Sequence, residues 1–440
     1  MSATETGADS QAPAIGGPTL TPLQRLRAIL GGSAGNLVEW YDWFAYASFT
    51  LYFAPAFFPE GDRTAQLLQA AAVLALGFLA RPIGAWLLGL YADRAGRRAA
   101  LSLSVGMMCF GSLIIALTPG HATIGAWAPA ILLCARVLQG LSVGGEYGAS
   151  ATYMSEMAGR KRRGLWSSFQ YVTLILGQLC ALGVLILLQR TLTDAQLDAW
   201  GWRIPFFIGA ALAVVVFWIR RGLEESQSWT NRTGERSRTM LLFLHYPKET
   251  AMIAGLTAAG SLSFYAYTTY MQKFLVNTAG FSRDVASEIS AGALVVFMLA
   301  QPLFGWVSDL IGRKRMLIAA FGLGALAAYP VFTGIATARS EWTAFALVVG
   351  ALLILSAYTS IGAVIKAELF PAHVRALGVA LPYALANAVF GGTAEYVALW
   401  FKQAGFEQGF YLYVAVVAAV ALVVSIFMRD TQKQSLILED

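Results

Sequence analysis

Along the whole chain, long apolar stretches alternate with short polar breaks rich in arginine. About 20 mostly apolar residues are needed to cross a bilayer as a helix. That window predicts spans near 27–54, 64–91, 99–118, 123–153, 164–189, 203–220, 250–276, 285–308, 315–336, 342–365, 376–401 and 406–428. The longest polar break, 221–249, divides them six and six. The pattern predicts an all-α membrane protein of twelve transmembrane helices in two six-helix bundles, 27–220 and 250–428. Residues 221–249 form a linker, and 1–26 and 429–440 are tails.

Positive residues set the orientation. With the N-terminus inside, the inward-facing segments hold 22 of the Lys and Arg residues and the outward-facing ones 6. Cytoplasmic loops carry the excess of positive charge, so both termini are expected in the cytoplasm. Residues 1–22 lack a basic start before an apolar core and do not read as a signal peptide.

Composition narrows the class. The chain of 440 residues is 57% hydrophobic and 13% charged, with a mean hydropathy of +0.60. That excludes a disordered chain, a secreted disulfide scaffold and an ordinary soluble enzyme. The net charge of +6 is the loop asymmetry again, and no nucleic-acid partner is expected. Cys109, Cys134 and Cys180 lie in apolar stretches without metal-ligand spacing, so no disulfide, metal or cofactor is expected. His121, His245 and His373 fall in or near loops, which leaves carboxylates to carry any proton through the membrane.

The two halves repeat. Gly89, Asp93, Gly96, Arg97 and Arg98, with Arg94 beside Asp93, recur at an offset of 216 as Gly305, Asp309, Gly312, Arg313 and Lys314. Glu156 and Arg163 recur at an offset of 212 as Glu368 and Arg375. No strand precedes these loops and no Gly-Lys-Ser/Thr follows, so they are not phosphate loops. An aspartate at a helix end, cations in a tight loop and turn-permitting glycines predict a charge latch, one that holds two bundles together and releases when they rock.

With twelve spans in two halves, these loops resemble the major facilitator superfamily. The stretches Arg136-Val-Leu-Gln139-Gly140-Leu-Ser-Val-Gly144-Gly145-Glu146 and Gly35-Asn36-Leu-Val-Glu39-Trp40-Tyr41-Asp42 are similar to its metabolite–proton symporter branch, which holds dicarboxylate, shikimate, citrate and osmolyte carriers. The resemblance runs from about residue 30 to about 428. It implies proton-coupled import of a small metabolite by alternating access, with α-ketoglutarate, a dicarboxylate, as the first choice of substrate.

An ionisable group deep in a span costs a few kcal/mol, so it is functional or paired by default. At 1.5 Å per residue, Arg81 lies about 18 Å from Asp93, near the midplane. Arg136 sits at a similar depth, and their repeat partners are Phe297 and Leu352. Two cations in one half suit a substrate with two carboxylates, because guanidinium grips carboxylate bidentately. The structural alternative is that they neutralise Glu39, Asp42 or Glu146. Glu39 and Asp42, three apart on one helix, share a face and are the first proton-site candidates. Glu146 is the next. Lys273 is expected to snorkel to the outer surface, and Glu395 to line a rim or gate. Tyr265, Tyr267, Thr268, Thr269, Tyr358 and Asn387 rank low as site residues. The rival readings are a carrier of zwitterionic osmolytes and a membrane-embedded enzyme. No His-Glu-x-x-His and no Cys/His cluster supports the latter.

Overall fold

The computed structural model describes residues 22–95, 97–143, 162–221, 242, 244–432 and 435–436. Among these there are helices and no strands. The twelve principal helical stretches begin with α1 (Pro22–Phe57), α2 (Arg63–Ala95), α3 (Arg97–Leu117) and α4 (Trp127–Val143). Next come α5 (Arg163–Thr191), α6 (Ile204–Arg221), α7 (Pro247–Tyr267, resuming as Met271–Asn277) and α8 (Arg283–Ile311). The series ends with α9 (Arg313–Ala336), α10 (Glu341–Thr359, then Gly362–Glu368), α11 (Ala372–Ala386, then Ala394–Gln403) and α12 (Gln408–Phe427).

Seven of these, α2, α5 and α8 to α12, contain stretches long and apolar enough to cross a membrane, and shorter apolar stretches lie in α3, α4 and α6. Neither α1 nor α7 is among them. Glu39 and Asp42 interrupt α1, and Thr257, Ser261 and Ser263 interrupt α7. The helices are turned inside out relative to a soluble bundle. Trp127, Leu326, Trp342 and Phe427 are more than 70% exposed, while Asp42, Arg136, Gln139 and Lys273 are fully buried. Bulky apolar groups facing outward and ionised groups facing inward are what a hydrocarbon solvent selects.

The repeat is visible in the packing. In the first half α2 lies on α4, α3 on α6 and α1 on α5, and in the second half α8 lies on α10, α9 on α12 and α7 on α11. Each pair recurs six helices later. The halves meet through α5 against α8 and α2 against α11, two contacts that the same shift exchanges.

Both ends of the seam between the halves are pinned. At one end the N–H groups of Gly164 and Leu165, opening α5, donate to the two carboxylate oxygens of Asp309 at 2.9 and 3.0 Å. The positive pole of a helix thus meets a carboxylate. The approach needs glycine: a Cβ on Gly164 would stand 2.6 Å from the Gly305 carbonyl, and one on Gly305 2.6 Å from the Gly164 carbonyl. Beyond α12 the chain folds back onto this end. Gln432 donates to the Asp309 carbonyl at 2.9 Å, Arg163 to Ser435 at 3.3 Å, and Arg375 to the Leu436 carbonyl at 2.9 Å. At the other end Arg283 donates to Asp198 at 2.7 Å, Asn277 to Thr64 at 3.3 Å and Gln189 to Ser287 at 3.2 Å, and Arg190 pairs with Glu288. A polar cavity of about 440 Å³ opens there, lined by Arg63, Asp194, Asp198 and Arg283 among others.

Candidate functional site

Midway between the pinned ends, α1 presents Trp40, Trp43 and Tyr46 at spacings of three, so they share one helical face. Arg81 of α2 and Arg136 of α4 are both seated on the Trp43 indole, their guanidinium carbons 4.0 and 4.2 Å from its centroid. Arg81 also lies over Phe78 at 4.1 Å, and Arg136 over Tyr46 at 4.3 Å. Aromatic faces hold a desolvated cation while leaving its N–H edge unspent. That edge is unspent here: Nε and Nη2 of both arginines are buried without a hydrogen-bond partner. A buried donor left unmade costs about 1–3 kcal/mol, more when charged. Two such groups side by side leave four buried donors open to an acceptor.

Asp42 faces the other edge of Arg136. It accepts hydrogen bonds from Ser112 and from Gln139, the latter at 2.5 Å, and lies 3.9 Å from Arg136. Gln139 in turn accepts from Arg136 at 2.7 Å and donates to Ser112 at 2.9 Å. Glu39, three residues before Asp42 on α1, lies within electrostatic reach of Arg81. From the second half, the Tyr265 ring of α7 meets Phe78 edge-on with centroids 5.2 Å apart, and Tyr265 lies within electrostatic reach of Arg81 and beside Asn387. Asn387 opens a short π-helical turn, Asn387–Gly391, that interrupts α11. Such turns place side chains where a regular helix would not. Tyr265 and Asn387, ranked low from the sequence, thus reach the centre.

The reading of Lys273 is corrected. Instead of snorkelling outward it is fully buried and donates to Glu395 at 2.9 Å. Lys366 is also buried, over the Tyr383 ring at 4.3 Å. Interior charge is therefore not confined to the first half. A lone buried cation demands a carboxylate at matching depth, and Glu395 was in the sequence to supply it. Gln139, three residues after Arg136 on one face, was legible in the same way. Ser112 carried no signal.

Of the latch residues, the structure gathers Arg163, Asp309, Gly312, Arg313, Glu368 and Arg375 at one end of the seam. Arg313 donates to Asp309 at 2.8 Å and to Ser308 at 2.7 Å. Glu368 lies 3.9 Å from both Arg163 and Arg313. Gly312, with φ of 99°, occupies a conformation that other residues rarely adopt, joining α8 to α9. Gly96, Glu146 and Glu156 lie outside the described residues, and so do the side chains of Asp93, Arg94, Arg97 and Arg98 and the surroundings of Gly89. Among the described residues no group of His, Cys, Asp and Glu forms a metal site, and all three cysteines are free thiols.

Two repeated helical halves closing on buried cations have the architecture of a membrane carrier. The chain belongs to the sugar (and other) transporter family, which matches residues 28–246 and 235–439, within the major facilitator superfamily. It is 55% identical to the alpha-ketoglutarate permease of Escherichia coli over 410 residues, 93% of this chain and 95% of that one. It is 35% identical to a citrate-proton symporter of Klebsiella pneumoniae, over 84% of this chain and 83% of the relative. To the shikimate transporter of E. coli it is 30% identical, over 94% and 97%. In fold it is similar to the E. coli proton:xylose symporter XylE, with a TM-score of 0.74 at 18% identity over 94% of this chain and 97% of that one.

Proposed function

We propose that this protein is a proton-coupled importer of α-ketoglutarate, working by alternating access across the bacterial inner membrane with both termini in the cytoplasm. One observation supports it most: two buried arginines on one indole, each with unpartnered N–H groups. Two cations suit two carboxylates, and the relative at 55% identity is a permease for this dicarboxylate.

Coupling follows from charge. The inside-negative potential opposes a dianion by about 2.3 kcal/mol per charge per 100 mV. One proton carried with it leaves a single charge to move against the field, and two make the step electroneutral. In the proposed cycle a carboxylate of the first half, Asp42 foremost, with Glu39 and Glu146 as the other candidates, takes a proton while the site faces outward. Its hold on the arginine relaxes, and Arg81 and Arg136 turn to the substrate. Neutralised, the site lets the bundles 27–220 and 250–428 rock. The Asp309 latch, with its repeat around Asp93, then opens toward the cytoplasm.

The test is uptake of labelled α-ketoglutarate into proteoliposomes under an imposed inward proton gradient, with citrate, shikimate and proline as unlabelled competitors. Gradient-driven accumulation, blocked by unlabelled α-ketoglutarate and not by the others, is the expected result. Accumulation of citrate in its place would overturn the substrate and leave the class standing.

A further inference from the structure

Two of the three interruptions of the membrane helices in the second half, those of α7 and α11, sit beside one ion pair. Helix α7 stops at Tyr267 and resumes at Met271. Helix α11 stops at Ala386, passes through the π turn and resumes at Ala394. Lys273 and Glu395 stand in the first turns of the two resumed segments, 2.9 Å apart, the lysine wholly and the carboxylate almost wholly buried. A carboxylate suits the positive start of a helix and an ammonium does not. Lys273 is therefore not there to support its own helix. Broken helices in carriers mark where ions and substrates are held. This pair also faces the seam. Besides Lys273, the ionisable groups within electrostatic reach of Glu395 among the described residues are Tyr46 of α1 and Tyr270 between the two segments of α7. Tyr46 is the ring over which Arg136 lies.

We propose that Lys273 is the anchor for the second carboxylate of the substrate and that Glu395 is the group it displaces, protonated as the displacement occurs. This rests on the dicarboxylate reading above and changes one part of it: the two arginines share one carboxylate, and Lys273 holds the other. In the unloaded carrier Glu395 neutralises Lys273. When the substrate binds, its first carboxylate takes the arginine edges and its second takes the Lys273 ammonium. Glu395 then gains a proton from solution and remains in place as a neutral acid. Lysine stays protonated throughout, so one proton enters for each distal carboxylate held. A substrate without that carboxylate leaves the pair closed and the proton outside.

The first measurement needs no variant. The purified full chain, in weakly buffered detergent solution with a pH dye, is given α-ketoglutarate or 2-oxobutyrate, its analogue without the distal carboxylate. We expect α-ketoglutarate to draw one more proton per molecule bound. Equal proton uptake would overturn the proposal, and no binding of α-ketoglutarate at all would instead strike the function proposed above. Variants extend the test. Glu395→Gln should remove the extra proton, tighten α-ketoglutarate binding at pH 8 at least tenfold by removing the competitor, and keep α-ketoglutarate exchange while losing gradient-driven accumulation. Lys273→Gln should weaken α-ketoglutarate at least tenfold and 2-oxobutyrate less than twofold. A pair that only fills space could be neutralised on both sides without loss. Wild-type accumulation by the double variant K273Q/E395Q would therefore also overturn the proposal.

Discussion

Trp43 is the residue on which the centre turns. One indole seats two guanidinium groups that would otherwise repel each other in a medium of low dielectric. A desolvated cation–π contact is worth about 2 kcal/mol. Trp43→Ala is therefore expected to weaken α-ketoglutarate binding by an order of magnitude or more, with Trp43→Phe recovering part of it, read by titration of the purified chain. Arg81→Lys keeps the charge but loses the planar edge. We expect its KM for uptake to rise at least tenfold, and an unchanged KM would remove Arg81 from the site. Arg136 has a second duty toward Asp42 and Gln139. Arg136→Ala strands a buried carboxylate, which costs about 3–5 kcal/mol. Reduced yield and a lower Tm should therefore accompany its loss of transport, whereas Arg81→Lys leaves Tm near wild type. Asp42→Asn should abolish gradient-driven accumulation while substrate exchange continues. Both arginines were legible in the sequence because a buried charge is conspicuous against hydrocarbon. Their aromatic seats were not, since Trp and Phe are ordinary in membrane helices. Nor was the network of Ser112 and Gln139 around Asp42, which depends on helices 3 and 4 meeting helix 1.

At the scale of the helix, hydropathy found the spans and missed what breaks them. The interruptions in α7 and α11 fall at Thr-Thr-Tyr and Gly-Gly-Thr, with no proline at either. Hydroxyl groups bond back to the preceding turn: Thr268 donates to the Phe264 carbonyl at 2.6 Å, alongside its own N–H, and Thr393 donates to the Val389 carbonyl. Such bonds depend on the partner helix allowing the bend, which a single sequence does not show. The glycines of the seam were legible only in part. Gly305 stood out in the repeat, but Gly164 did not, because its role is to let α8 come close. A side chain at either position would hold α5 and α8 apart. Gly164→Val is expected to slow uptake at least tenfold and to lengthen the distance between spin labels on α5 and α8 at the latch end. An unchanged distance distribution would remove the glycine contact from the gate.

For the whole molecule, the two contacts between the halves, α5 with α8 and α2 with α11, are related by the same shift that relates the halves. Rocking about the central site can therefore open one end of the seam while the other keeps its pins. Asp309→Asn removes the charge that the start of α5 and Arg313 both hold. We expect it to shift the carrier toward the state open at that end, so that a cysteine placed in the central site reacts faster with a maleimide added from the side on which that end lies. Equal reactivity would mean that the latch carries no bias. One more strand of this closure comes from the segment after α12. It bonds to Asp309 and Glu368 of one half and to Arg163 of the other, through Gln432, Leu436 and Ser435. A turnover that opens this end must break the Arg163–Ser435 bond across the seam and remake it, while the bonds to Asp309 and Glu368 let the segment travel with the second half. A fluorescent protein fused after Asp440 would hang on a moving part, so an instrument meant to record how much carrier is present would also record how often it works, and would slow it.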